Sequence, residues 1–259
     1  MKNFLLIFLI TFSGMVSNAQ NSWNNKKCAV VLTYDDALDI DLDHVIPALD
    51  SFNLKGTFYL IGNRPAIANR IPEWRAASKN GHELGNHTLF HPCDGTLPGR
   101  EWVNKDNDLR NYTVNRAVDE IKSNNILLSA IDGKTKRTFA YPCGDLKIGG
   151  AYFYDQLKTD FVGARGVTRG LQDAKEVNLD NINTYSMNGQ NGEYMINLVK
   201  EAVNSEKLLV FLFHGVGGGH KANVTLEAHH KLISFLKAHQ SEIWVAPMVD
   251  VAEFIKTKQ

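Results

Sequence analysis

The chain has 259 residues with 28 Lys and Arg against 28 Asp and Glu, so its formal net charge is zero, and 44% of it is hydrophobic. Bulk charge of this kind gives no means of gathering a polyanion, which argues against nucleic acid and leaves a neutral or locally polar substrate such as a glycan. Three cysteines are too few for a disulfide scaffold.

The N-terminus reads Met1-Lys2-Asn3, an apolar run from Phe4 to Ile10, then Ser17-Asn18-Ala19-Gln20. A basic start, an apolar core and a small-residue cleavage pattern predict a secretory signal peptide over residues 1–19. Its core is shorter than the roughly 20 residues a bilayer-spanning helix needs. No cysteine follows the cleavage pattern to take a lipid. The expectation is a secreted or periplasmic protein with no stable membrane insertion after cleavage. That compartment permits one disulfide, for which Cys93 and Cys143 are candidates, with three unlinked thiols as the alternative.

From Cys28 onward apolar, β-rich stretches alternate with helical patterns, and no repeat or low-complexity linker interrupts them, which predicts one α/β domain over residues 24–259. Expected strands are 28–34, 56–61, 82–86, 137–141, 160–165, 181–185, 208–214 and 242–246. Expected helices are 42–52, 66–79, 113–130, 150–158, 193–205, 226–239 and 249–256. Residues 92–111, with Gly95, Pro98, Gly99 and Trp102, read as a long loop.

Chemistry gathers where strands should end. Asp35 and Asp36 follow the apolar run Ala29 to Leu32, and adjacent side chains on an extended backbone point to opposite sides, so one carboxylate can hold a metal while the other handles a proton. His87 and His91 are four apart, a spacing that in a helix or tight turn puts both imidazoles on one face. Three protein ligands and an open position are the catalytic zinc pattern, which lowers the pKa of water to about 7. His214 ends the apolar strand Leu208 to Phe213, and glycines at 215 and 217–219 leave room for substrate, so it is a candidate general acid. His220, His229, His230 and His239 lack such placement and are expected to be solvated. The Pro142-Cys143-Gly144 turn could aim a backbone N–H at an oxyanion.

In this order, Thr33-Tyr34-Asp35-Asp36, Gly81 to Pro92 with His87-Thr88-Leu89-Phe90-His91 inside it, and Leu212-Phe213-His214 resemble the motifs of the polysaccharide deacetylases, the NodB-homology domain of carbohydrate esterase family 4. The likeness runs from about Cys28 to Ile255. It implies a single distorted (β/α) barrel of the NodB-homology type, with about seven parallel strands ringed by helices. It also implies Asp35 as catalytic base, Asp36, His87 and His91 as ligands of a divalent metal, most simply zinc, and His214 as general acid. Cys143 would supply the oxyanion N–H, with Leu212 and Tyr141 in the substrate pocket. The implied reaction is deacetylation of an acetylated glycan, whether chitin-like, peptidoglycan or acetylxylan. Two family features are missing. Ala140 stands where an arginine often orders the catalytic Asp, with Arg165 or Arg169 as candidate substitutes, and no Asp-Trp pair follows residues 160–170 to support His214. These gaps keep two alternatives open, a metal-containing carbohydrate-binding pseudoenzyme and a metal-dependent amidase acting on a small molecule.

Overall fold

The structure is a computed structural model that describes residues 23–259; the expected signal peptide lies outside the described residues. The barrel strands are β1 (Cys28–Asp35), β2 (Thr57–Leu60), β3 (Glu83–Asn86), β4 (Phe139–Ala140), β5 (Ala164–Arg165), β6 (Tyr185–Ser186), β7 (Leu208–Phe213) and β8 (Ile243–Val245). Their order is β5-β4-β3-β2-β1-β7-β6, with β8 beside the first half of β1, and every pairing is parallel. Hydrogen bonds from Ile182 N to Ala164 O and from Gly166 N to Ile182 O bring the two ends of this path together. The result is the expected distorted parallel barrel with helices outside it.

Strand β1 is buried along its whole length, as a central parallel strand covered on both faces must be. Its side chains alternate. Val30, Leu32 and Tyr34 pack with Phe58, Phe211 and Phe213, while Ala29 and Val31 join Ile182, Val210 and Met248. Asp35 continues the second set. The helix Val114–Asp132 is capped by Thr113, whose hydroxyl accepts from Arg116 N, and ends at Gly133 in the left-handed conformation.

Several expected elements change. The helix expected over 150–158 is absent; the segment forms the short strand Ala151–Tyr152 and a 3-10 turn at Phe153–Gln156, starting from Gly149 and Gly150, both at positive φ. The helix over 66–79 is two, Pro65–Asn69 and Ile71–Lys79, because Pro72 at the second start has no N–H for a continuous ladder. Strands at 160–165 and 181–185 shorten to Ala164–Arg165 and Tyr185–Ser186. Among the histidines expected to be solvated, His229 is 2% exposed and bonded to the Tyr34 hydroxyl at 2.7 Å, and burial holds its pKa down to about 4. His230 is exposed and His239 is half-buried against Phe235.

Candidate functional site

The C-terminal ends of β1, β3, β4, β5 and β7 meet at one face, where a parallel barrel displays side chains from several strands on independent loops. A cavity of about 790 Å³ opens there, lined by Asp35, Asp36, His87, His91 and His214 among others. Asp36, His87 and His91 each offer an atom within 4.8 Å of the others. The Asp36 Oδ1 atom lies 3.6 Å from His87 Nε2 and 3.7 Å from His91 Nε2.

Alternation along an extended strand would send Asp36 away from Asp35, but the chain leaves β1 at Asp36 with φ +83, in the left-handed region. That turn brings both carboxylates to His87, whose Nε2 is 3.8 Å from Asp35 Oδ2. The His87–His91 segment is a loop, in place of the expected helix or tight turn, with Thr88 and His91 also at positive φ. Among the described residues, five of the nine non-glycine positions with positive φ, namely Asp36, Ala37, Thr88, His91 and Cys143, cluster at this face, so backbone strain is concentrated where the polar groups converge.

The strained loop is held by a buried amide network. Asn124 Nδ2 donates to Leu60 O, Thr88 O and Asn86 Oδ1, Asn86 Oδ1 also accepts from Thr88 N, and Glu120 Oε1 accepts from Phe90 N. His87 Nδ1 donates to Ala140 O at 2.8 Å, which leaves Nε2 as a lone-pair donor. Burial, reinforced by His91, pushes the His87 pKa well below its ordinary value; burial also lowers that of His91. Both rings are therefore held neutral, the form that ligates metal.

The buried Oδ1 atoms of Asp35 and Asp36 have no hydrogen-bond partner among the described residues. For Asp36, an unpartnered anionic oxygen aimed between two neutral imidazole nitrogens is an uncompensated desolvation that a divalent cation would relieve. One carboxylate and two imidazoles are also the donor chemistry of three-ligand zinc sites. The residues fit a resident metal.

Arg165 fills the gap left by Ala140. It is fully buried at the end of β5, donates to Asp35 Oδ2 at 2.6 Å and to Gly166 O, and lies 5.0 Å over the Tyr59 ring. Tyr59 reaches this position because Gly85 faces it; a Cβ there would fall 2.5 Å from the ring. Arg169 is elsewhere, bonded to the Tyr194 hydroxyl. The arginine was legible as a candidate, but its choice depends on β5 lying next to β4 and β3, which no local pattern announces.

Cys93 and Cys143 form a disulfide, so their sulfurs are not available to the adjacent His91 as a second metal group; Cys28 is the free thiol. The bridge ties the long loop to the Pro142–Gly144 turn. Arg100 adds to it by donating to Cys143 O at 3.0 Å and pairing with Asp145, which also accepts from Asp94 N. Cys143, Tyr141 and Leu212 all line the cavity. Tyr141 donates its hydroxyl to Asp180 O at 2.8 Å.

His214 lies at the end of β7, with a buried Nδ1 that has no hydrogen-bond partner among the described residues, so none of them replaces the absent Asp. Its ring instead stacks on His220, centroids 4.6 Å apart and planes at 17°. His220 is exposed, as expected, and it also lines the cavity, with Nε2 3.9 Å from Asp36 Oδ2. The glycines before it let the loop fold back over the site, a return that a histidine seven residues beyond a strand does not advertise. Trp102, Arg64 and Lys221, also at the rim, carried no readable signal.

The family profile for polysaccharide deacetylases matches residues 23–157, just over half of the chain. Over 71 residues the chain is 37% identical to a peptidoglycan-N-acetylglucosamine deacetylase of Bacillus cereus, a match covering 26% of this chain and 24% of that protein. The chain spans between 7% and 28% of the length of the curated relatives it matches. In fold it resembles a Mycobacterium smegmatis protein described as a polysaccharide deacetylase, with TM-score 0.65, 13% identity and coverage of 93% of this chain and 94% of that one. It also resembles a variant of the peptidoglycan deacetylase PdaC of Bacillus subtilis, with TM-score 0.56, 18% identity and coverage of 90% and 93%. With the family profile spanning β1 to β4 and the barrel complete around them, the chain belongs to the polysaccharide deacetylase family, the NodB-homology domains of carbohydrate esterase family 4.

Proposed function

We propose that this protein is an exported, metal-dependent deacetylase that hydrolyses acetyl groups from an acetylated glycan. N-acetylated glycans of the chitin or peptidoglycan type are the first choice and O-acetylated ones such as acetylxylan the second. The observation that carries the reading is the buried, unpartnered Oδ1 of Asp36 set between His87 Nε2 and His91 Nε2. Zinc suits a site of one carboxylate and two imidazoles with an open position. When bound, it supplies Lewis-acid polarisation of an acyl oxygen and acidification of water.

The remaining work falls to the chain. Arg165 occupies Oδ2 of Asp35 and fixes the carboxylate, so the unpartnered Oδ1 is the atom free to accept a proton from the attacking water. The N–H of Cys143, in a turn clamped by the disulfide and by Arg100, stabilises negative charge developing on the acyl oxygen. Leu212, at 2% exposure, provides an apolar wall for the acetyl methyl. His214 donates a proton to the departing nitrogen or oxygen, releasing acetate and a free amine or hydroxyl.

The partnerless Nδ1 of His214 favours one other reading, a glycan-binding relative that holds metal without turnover. Acetate release from N- and O-acetylated oligosaccharides, measured after chelation and again after zinc or cobalt is restored, tests both. Turnover that disappears and returns supports the proposal. Release unaffected by complete chelation removes the metal from it, and tight oligosaccharide binding with no acetate from any substrate establishes the alternative.

A further inference from the structure

Arg64 and Lys221 line the same cavity as the metal-binding set. Arg64 stands in the loop after β2 and Lys221 in the loop after β7, the two strands that flank β1, so the cations border the Asp35–Asp36 turn from both sides. Both are exposed, and neither forms an ion pair among the described residues. Some exposed cations on this protein are matched, as Lys158 is with Asp155 and Asp180 and Arg110 with Asp108; what sets Arg64 and Lys221 apart is their place in the lining of the cavity.

The cavity's carboxylates are Asp35 and Asp36 alone. Asp35 is neutralised by Arg165, and Asp36 faces the imidazoles. With Asp35 set against Arg165, the two cations outnumber the one remaining carboxylate at this opening, and a divalent cation at Asp36 would add to the excess. Beside the cations, Trp102 is 62% exposed with its ring 6.4 Å from that of His91, an apolar face at the mouth suited to the C–H side of a sugar ring.

We infer that the preferred substrate is an acidic acetylated glycan, with sugars bearing free carboxylates within reach of Arg64 and Lys221, in place of a neutral polymer such as chitin or acetylxylan. This inference rests on the deacetylase reading above and narrows its substrate. Carboxylates would pair with the two cations while Trp102 supports the ring, so charge sets how the substrate binds and leaves the acyl chemistry to the groups beneath.

The test uses one N-acetylhexosamine oligomer whose alternate sugars carry free carboxylates, and the same oligomer after conversion of those groups to methyl amides. The zinc-loaded wild type is expected to favour the charged oligomer about tenfold in kcat/KM at low salt, through KM, with the preference shrinking as salt rises. Arg64→Gln and Lys221→Gln should each cut that preference about two- to fivefold, the worth of an exposed charge pair. Equal rates on the two oligomers, or a preference that survives the double variant, would overturn the inference. Calorimetric binding of both oligomers to zinc-loaded Asp35→Asn protein reads the preference without turnover. Absent acetate with a charge-dependent affinity strikes the deacetylase reading and keeps the carboxylate recognition, whereas equal affinities strike the recognition itself.

Discussion

The barrel buries carboxylates at both of its ends and treats them oppositely. At the start of β3, Glu83 accepts four hydrogen bonds: from Thr138 N and Thr138 Oγ1 on one oxygen, and from Thr57 Oγ1 and Val249 N on the other. Burial raises its pKa and those bonds pull it back. At the other end, Asp35 and Asp36 are equally sequestered, yet each keeps one oxygen without a partner. A saturated carboxylate stitches β2, β3 and β4 to the C-terminal segment, while an unsaturated one is held ready for a ligand that the fold does not supply. Hydrogen-bond accounting separates the structural end from the working end where burial alone cannot.

The sharpest way to break this contrast is to remove an acid from each end. Asp36→Asn deletes the anionic ligand and should lower zinc content to background and acetate release by about 10³-fold or more. In metal-free protein the same change relieves repulsion between neighbouring carboxylates, so the melting temperature should equal or exceed that of the metal-free parent. A variant that melts well below the parent would make Asp36 a structural residue and erase the distinction.

Glu83→Gln probes the opposite end and should give the opposite outcome. An amide cannot accept from donors on both sides, so at least one backbone N–H, of Thr138 or Val249, loses its partner in the interior at a cost of about 2–3 kcal/mol. The melting temperature should fall by about 5–10 °C for a domain of this size. Below the transition, zinc content and turnover should stay near the parent's. Loss of zinc at temperatures where the variant is folded would show that the two ends are coupled.

The same contrast explains what could be read in the chain before its fold was known. Buried parallel strands announce themselves as apolar runs, so β1 and β7 were legible together with the Asp35–Asp36 and His214 positions at their ends. Two-residue strands such as β5 and β6 are held by neighbours and carry too little periodicity to be bounded. The ligand set was visible because His87 and His91 are four apart and Asp36 stands beside Asp35 at the end of an apolar run. Glu83 was not, because it matters through Val249, far away in the chain; Arg165 was legible only as one of two candidates, because the choice rests on Asp35, 130 residues away; and His220, though near His214 in sequence, depends on a loop folding back. The expectation that adjacent aspartates diverge failed for a local reason, the positive φ of Asp36, which sequence patterning does not reveal for a non-glycine residue.

The smallest expected effect concerns another unsatisfied group at the working end, His214 Nδ1. With no acceptor to orient it, the ring is steadied by the stack with His220, and His220 is steadied in turn by Ala222 N, which donates to its Nδ1 at 3.0 Å. Because Nδ1 is the acceptor there, the proton of the neutral His220 ring sits on Nε2, which offers a cation no lone pair. His220 is therefore a positioning residue and not a fourth ligand. His220→Ala should reduce kcat by about three- to tenfold, the worth of one aromatic contact, with KM little changed and zinc content intact. Restoring a flat ring with His220→Phe should recover most of that loss, because packing and not proton exchange is what the imidazole contributes. If alanine costs nothing, the stack does not orient His214; if zinc leaves with the imidazole, the ring at 220 belongs to the metal centre after all.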